Sequence, residues 1–443
     1  MEAKIALDAK TTHQEAVPIQ TAFKPRAIGI TIYFFILCYL FISMNGPDSM
    51  NLILPTLERI FGWAPPDVAV KLGVIRLIGI PVMFGIGTLF MKVGIKTVLL
   101  PCTILNGILV IAMGSVTTID QFVWINIAIG FVAPVGFIAL GGIVANWFVR
   151  SRGRILGIIT IAFPLSTASF TFIGTKGIEA WGFQGFYSAV GIVLIIVGII
   201  GYWLLFDKPE SIGLSPDGVP LSEKEKADIK ERESFQSEWS IMRIIKNKDL
   251  WAYALAWSLV GLVLGSIMSQ MIPVFVSSGI PINEALGMMA VGALAGIPLS
   301  YVWGYLDDKI GTPNTAMLFT TVLITGSIGM AYGSVENIEM YYLAIVCIAL
   351  GSAGMPNLQP SSLAYIVGRK EFLNVQRYFH VVNAVFLSIS MAYVPVMFSI
   401  WGSYKPVFLS LLVFIVLILV ALAFCRRTFD PERQAIMDQD KKA

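Results

Sequence analysis

Charge is scarce in this sequence. Only 13% of its 443 residues are Asp, Glu, Lys or Arg, about half the share usual in a soluble domain, so most of its surface cannot face water. Cysteine is scarce too. Cys38, Cys102, Cys347 and Cys425 all lie in apolar segments, with neither metal-ligand spacing nor the pattern of a secreted disulfide framework. There are two histidines, His13 near the N-terminus and His380 in an apolar run. No H-E-x-x-H motif, phosphate loop or convincing Ser/His/Asp set occurs among residues that could meet. An enzyme is therefore not expected, nor a cofactor or a metal, and the net charge of +3 gives no ground for a nucleic-acid partner.

What the chain has instead is apolar length. Hydrophobic residues make up 56% of it, and the mean hydropathy is +0.77. The apolar stretches recur at about 20–30 residues, enough to cross about 30 Å of hydrocarbon at about 1.5 Å per residue. Twelve spans are predicted, near 27–57, 66–91, 96–116, 121–148, 153–176, 182–206, 249–277, 283–307, 313–333, 338–366, 373–400 and 403–425. The fold class expected is an all-α membrane protein of two six-helix bundles, 27–206 and 249–425. A polar segment, 207–248, separates them and contains "SEKEKADIKERE", which reads as a solvated linker. Residues 1–26 and 426–443 are polar tails. The apolar run from Ala27 is too long for the core of a signal peptide, so the first tail is expected to be retained. Of the 31 Lys and Arg residues, 25 fall on the side of the termini, three on the other side and three within spans. That asymmetry puts both termini in the cytoplasm.

The two halves repeat. "MNLILP" (50–55) and "MSQMIP" (268–273) share Met and Pro at an offset of 218, and "GTLFMKVG" (87–94) and "GYLDDKIG" (304–311) share four positions at an offset of 217. Six spans followed by six equivalent spans is a parallel repeat about an axis along the membrane normal.

These stretches carry a resemblance. Gly87-x-Leu89-x-x-Lys92-x-Gly94 and Gly304-x-Leu306-x-Asp308-Lys309-x-Gly311 resemble the loop signature of the major facilitator superfamily, G-x-L-x-D-R-x-G. "NWFVRSRGRILGI" (146–158) and "KPESIGLSPDG" (208–218) are similar to its bacterial organic-anion branches, the oxalate–formate antiporters and monocarboxylate porters. The resemblance implies a secondary transporter working by alternating access. It also implies gating at the loops after spans two and eight, through Gly87, Gly94, Gly304, Gly311, Asp308 and Lys309. The chain departs from the pattern at Met91, where the first signature has lost its aspartate, and in span eight, which carries no arginine. In the superfamily's architecture the loop after span eight lies beside the start of span five, where Arg150, Arg152 and Arg154 stand, so Asp308 has candidate partners in Arg152 and Arg154.

Arg76 stands eleven residues before Gly87, about 16 Å along a helix and near the midplane. Burial of an arginine there costs about 2.5–3.5 kcal/mol on insertion scales, so a role facing the bundle interior is expected. Counted from the loop between spans one and two, Asp48 lies at a matching depth. Either the pair is a switch, with protonation of Asp48 freeing Arg76 for a substrate carboxylate, or it is a fixed structural contact. Arg76 plus 217 falls on Ala293, so the second half must supply its polar groups elsewhere. "QRYFHVVN" (376–383) offers Arg377, Tyr378, His380 and Asn383, and His380 is a candidate proton relay. Asn45, Asn51, Gln270, Asn357 and Gln359 are candidate substrate contacts or interhelical glue. Tyr33 and Phe34 could face an organic skeleton. Asn51 aligns with Ser269, next to Gln270, and helix breakers cluster there in both halves (Gly46, Pro47, Pro55, Gly265, Pro273), a pointer to a transporter site.

The function expected is transport of a small organic anion, a carboxylate, across the cytoplasmic membrane by alternating access, with a proton, by a monomer. Anion exchange without net proton flux and a non-transporting membrane sensor stay open as alternatives.

Overall fold

The computed structural model describes residues 22–45, 49–149, 151–220, 222–223, 241–367 and 372–426. Among these the chain is helical with short connections and has no strand. Ten helices are long and apolar enough to cross a membrane. One of them, Arg154–Leu204, is 51 residues long and turns back at Gly182, whose φ of 70° and ψ of 173° break the helix. Phe170 and Phe186 meet across that bend with ring centroids 5.9 Å apart. Counting this helix as two and adding Pro65–Val93, 29 residues long, makes twelve crossings.

Span one comprises Phe23–Asn45 and Met50–Phe61. Spans two to four are Pro65–Val93, Ile95–Gly114 and Ile119–Trp147. Spans five and six run through Arg152–Thr160 and Ala162–Leu204, divided at Gly182. Span seven comprises Lys248–Met268 and Met271–Ser277. Spans eight to twelve are Ile282–Ile310, Thr312–Tyr332, Ile338–Val367, Phe372–Trp401 and Tyr404–Arg426. An even number of crossings brings Arg426 back to the face where Phe23 begins, the proximal face; the opposite face is distal. No loop separates spans five and six, because helix runs through residues 177–181 up to the hinge glycine.

The buried apolar residues form two clusters, one drawn from residues 23–214 and one from 244–421, with Met391 of span eleven joining the first. Ile196, Ile199, Ile200 and Trp203 of span six lie exposed on the outside, as suits a surface solvated by lipid tails. The repeat is visible in the backbone. Gly94 (φ 89°, ψ 152°) and Gly311 (φ 79°, ψ 152°) hold one conformation at the two signature loops. Each ends one span by donating its N–H to the carbonyl four residues back, Phe90 or Asp307, and starts the next span. A side chain is strained at such φ values, so the turn selects glycine.

Candidate functional site

The halves meet along three seams: span two against span eleven, the helix Ala162–Leu204 of spans five and six against span eight, and the distal piece of span one against that of span seven. The first seam is tight because Gly73 lacks a side chain. A Cβ there would lie 2.8 Å from the Ser388 carbonyl oxygen. Three residues beyond Ser388, Met391 is fully buried in the core of the first half. These contacts close the distal side.

Asn51 joins the halves at the third seam. Its Nδ2 donates to the Met268 carbonyl at 2.7 Å, and its Oδ1 accepts from the Ile272 N–H at 3.0 Å. Those two backbone groups are the partners that would bond each other in a continuous helix. The helix is weak there because Pro273 cannot donate to the Ser269 carbonyl. Gln270 leaves the regular ladder, at φ −128° and ψ 11°, and donates its N–H three residues back to the Ile267 carbonyl. The Asn51 carboxamide therefore fills a gap in span seven from the other half, and each bond contributes about 1 kcal/mol.

Other expected site residues are distributed as follows. Arg76 lies in span two, one turn (about 4.5 Å) from Gly73 toward the proximal end. Its side chain, like those of Arg152, Asp308 and Arg377, is outside the description, and Asp48 and Arg150 lie outside the described residues. His380 of span eleven is exposed. On the same helix Asn383 lies against Gly261 of span seven, while Met391 reaches the first half. At about 100° per residue His380 points between those two directions, into the space bounded by spans two, seven and eleven. The Asn383 Oδ1 is buried without a hydrogen-bond partner among the described residues. Asn357 is exposed on span ten. Tyr253 donates to the Gln359 backbone carbonyl at 3.0 Å. Gln270 is buried at the break in span seven. Asn45 donates to the Phe41 carbonyl of its own helix at 3.1 Å. Tyr33 is packed inside the first bundle rather than opening to the space between halves: it is buried against Gly201 and edge-on to Phe34, which is buried too.

On the proximal face each half is tied to itself. The Asp207 carboxylate accepts from the backbone N–H groups of Ile95 (3.0 Å) and Lys96 (2.7 Å), capping span three directly after the first signature loop. Asn146 and Trp147 donate to the carbonyls of Asp207 and Phe206 at 2.8 and 2.7 Å. Asp217 accepts from the Val149 N–H at 2.8 Å, and from Ser151. In the second half Ser361 donates to Asp307 at 2.8 Å, and exposed Lys309 lies 5.6 Å from the Tyr305 ring. Arg154 is exposed at the start of span five. Sequence reasoning missed Gly73, Asp207 and Asp217. A glycine midway along a span and an aspartate directly after one are faint signals that the packing makes specific.

Two six-helix bundles in one chain, closed on one side along helix seams and lined between them by polar groups, define a multi-pass membrane transporter of small solutes. The family model of the Major Facilitator Superfamily matches residues 35–395, and the chain belongs to that superfamily, a family of transporters and not an enzyme class. It is 20% identical over 344 residues to an uncharacterized MFS-type transporter, YhjX, of Escherichia coli K12, covering 74% of this chain and 76% of that one. It is 28% identical over 219 residues to the hexose-6-phosphate:phosphate antiporter of the same strain, covering 46% of this chain and 45% of that one. The chain thus spans about half the length of this second relative. A crystal structure of a bacterial homolog of the human lysosomal transporter Spinster, in an inward-facing and unoccupied conformation, superposes with a TM-score of 0.71 at 13% identity, over 92% of this chain and 98% of that one. The relatives thus reach beyond the oxalate–formate and monocarboxylate branches. The loop stretches that resemble those branches, 146–158 and 208–218, are bonded to each other through Asp217, which accepts from Val149 and Ser151, so they carry bundle architecture.

Proposed function

We propose that this transporter carries a small organic anion, with Arg76 as its principal binding charge. One observation carries the reading: span two, which holds Arg76, crosses span eleven, which holds His380 and Asn383, at the Gly73–Ser388 contact. The cation and the polar face of span eleven thus lie on the proximal side of the same closed seam. An arginine at such depth needs an anionic partner, because an unpaired charge in hydrocarbon is costly, and a guanidinium matches carboxylate or phosphate oxygens in a two-pronged geometry. Asn383 and Asn357 orient the anion. Asp48 and His380 are the proton carriers if uptake is symport, and an Asp308 contact with Arg152 or Arg154 closes the proximal side in the other half of the cycle. The excess of Lys and Arg makes the proximal face cytoplasmic, in a cytoplasmic membrane with both termini inside. One chain is the working unit, since the seams lie within it.

Exchange of one anion for another is the second reading, favoured by the similarity to a hexose-6-phosphate:phosphate antiporter; it extends the substrate class from carboxylates to organic phosphates. Purified protein in liposomes, given labelled carboxylates and organic phosphates, separates these readings. Symport accumulates label under an imposed inward proton gradient. Exchange requires anion loaded inside and ignores the gradient. A protein that moves no anion under either condition is a sensor, and the proposal fails.

A further inference from the structure

We infer that Asn51 is a gating residue that splices the broken helix of span seven when the distal side is closed and releases it to re-form when the distal side opens. The inference rests on alternating access but not on which solute is carried. The backbone ladder of span seven is regular up to Ser269, whose N–H donates to the Gly265 carbonyl at 3.0 Å, and it resumes where Val274 donates to the Gln270 carbonyl at 3.0 Å. Between these points lies the Met268–Ile272 pair, which the Asn51 carboxamide bridges with both its donor and its acceptor. A carboxamide is the side chain suited to this, because it presents one N–H and one C=O in a plane, as a peptide group does. Asn51 is 3% exposed, so water does not compete for these bonds while the seam is shut.

Opening the distal side draws span one away from span seven and takes Asn51 with it. The Met268 carbonyl and the Ile272 N–H then face each other as the ordinary partners of an α-helical turn. Two bonds between halves are exchanged for one bond within a helix, and the broken span regains a turn. Neither backbone group is left unpaired in either state, so each state is a defined minimum. Such an exchange makes the element bistable, with an equilibrium that a ligand can bias. Gln270 adds to the balance. Its side chain is buried at the same break, with Nε2 lacking a partner among the described residues, and an unsatisfied buried donor weakens the closed state.

The test uses the full chain in lipid nanodiscs, spin-labelled at Arg59→Cys and Glu284→Cys in a background free of native cysteine. Both positions are exposed at distal ends. Electron–electron distance measurements report the distal separation, and hydrogen exchange reports protection of the segment containing Ile272. Asn51→Leu keeps the bulk but can make neither bond. It is expected to raise the open-to-closed ratio about tenfold, equivalent to about 1.4 kcal/mol, while Ile272 stays protected through its re-formed helical bond. Asn51→Asp keeps the acceptor for Ile272 but has no donor for Met268, and should fall between wild type and Asn51→Leu. Should Asn51→Leu fail to fold, Asn51→Ser carries the same expectation. An unchanged distance distribution in the folded variants overturns the gating role. Opening accompanied by loss of protection at Ile272 overturns the splice, since it would mean that Asn51 is only a contact and the helix does not close behind it.

Discussion

The distal and proximal faces are built on different plans. On the distal side the bonds of Asn51 and the approach of Gly73 to Ser388 cross from one half to the other. On the proximal side the bonds of Asp207 to span three, of Asp217 to Val149 and Ser151, and of Ser361 to Asp307 each stay within one half. Contacts that cross the seam must break during transport, and those within a half need not. The distal set therefore reports the conformational equilibrium, while the proximal set keeps each bundle rigid so that it moves as a body. A substitution at the seam should shift populations, and one at a proximal cap should shift melting temperature.

The largest expected effect lies between the faces. Arg76→Ala should reduce anion uptake at least about 100-fold while leaving the melting profile and the distal distances unchanged, because it removes the binding charge. Arg76→Lys should recover only part of the activity, since an ammonium lacks the two-pronged fork. Uptake by Arg76→Ala with normal affinity would assign the anion to other residues.

Gly73→Leu comes next. Its Cβ would lie 2.8 Å from a backbone oxygen, and overpacking of this kind typically costs about 1–3 kcal/mol. The cost falls only on the state in which spans two and eleven touch. Distance measurements should therefore find the distal side held open, with transport slowed more than binding. A distribution that stays closed would mean the bundles absorb the bulk elsewhere.

Asp207→Ala tests the opposite pole. Removing a carboxylate that caps a helix typically costs about 1 kcal/mol, so calorimetry should find a lower melting temperature with the distal distribution unmoved. A population shift would show that the proximal caps also change during the cycle.

The smallest effect is expected from Asp308→Asn. If Asp308 bridges to Arg152 or Arg154 when the proximal side closes, its loss should favour the proximally open state by no more than an exposed ion pair is worth, about 0–1 kcal/mol. Proximal distances identical to wild type would reduce Asp308 to a local turn residue.

Much of this contrast was legible in the sequence, unevenly. The offset of 217 that pairs Gly94 with Gly311 becomes one backbone conformation in both halves, because the glycine requirement is local and a repeat preserves it. The alignment of Asn51 with Ser269 marked the place where the distal pieces of spans one and seven meet, and the structure puts its bonds on Met268 and Ile272, on either side of Ser269. Tyr33 was not legible. A span that is apolar all round does not reveal which face looks at the cavity and which at its own bundle. Spans five and six, expected to be separated at 177–181, are instead joined by helix through those residues up to the hinge at Gly182, because a single glycine at positive φ makes the whole turn. The caps made by Asp207 and Asp217 depend on how the segment after span six folds back onto the bundle, which spacing along the chain does not encode.

The most direct measurement of the central claim is counterflow. Wild type and Arg76→Ala are reconstituted side by side into liposomes preloaded with an unlabelled carboxylate or organic phosphate, then diluted into the same labelled compound. The account expects wild type to concentrate label transiently for at least one anion, and Arg76→Ala, equally folded, to show none. Label concentrated equally by both proteins, or by wild type only for uncharged solutes, would contradict it.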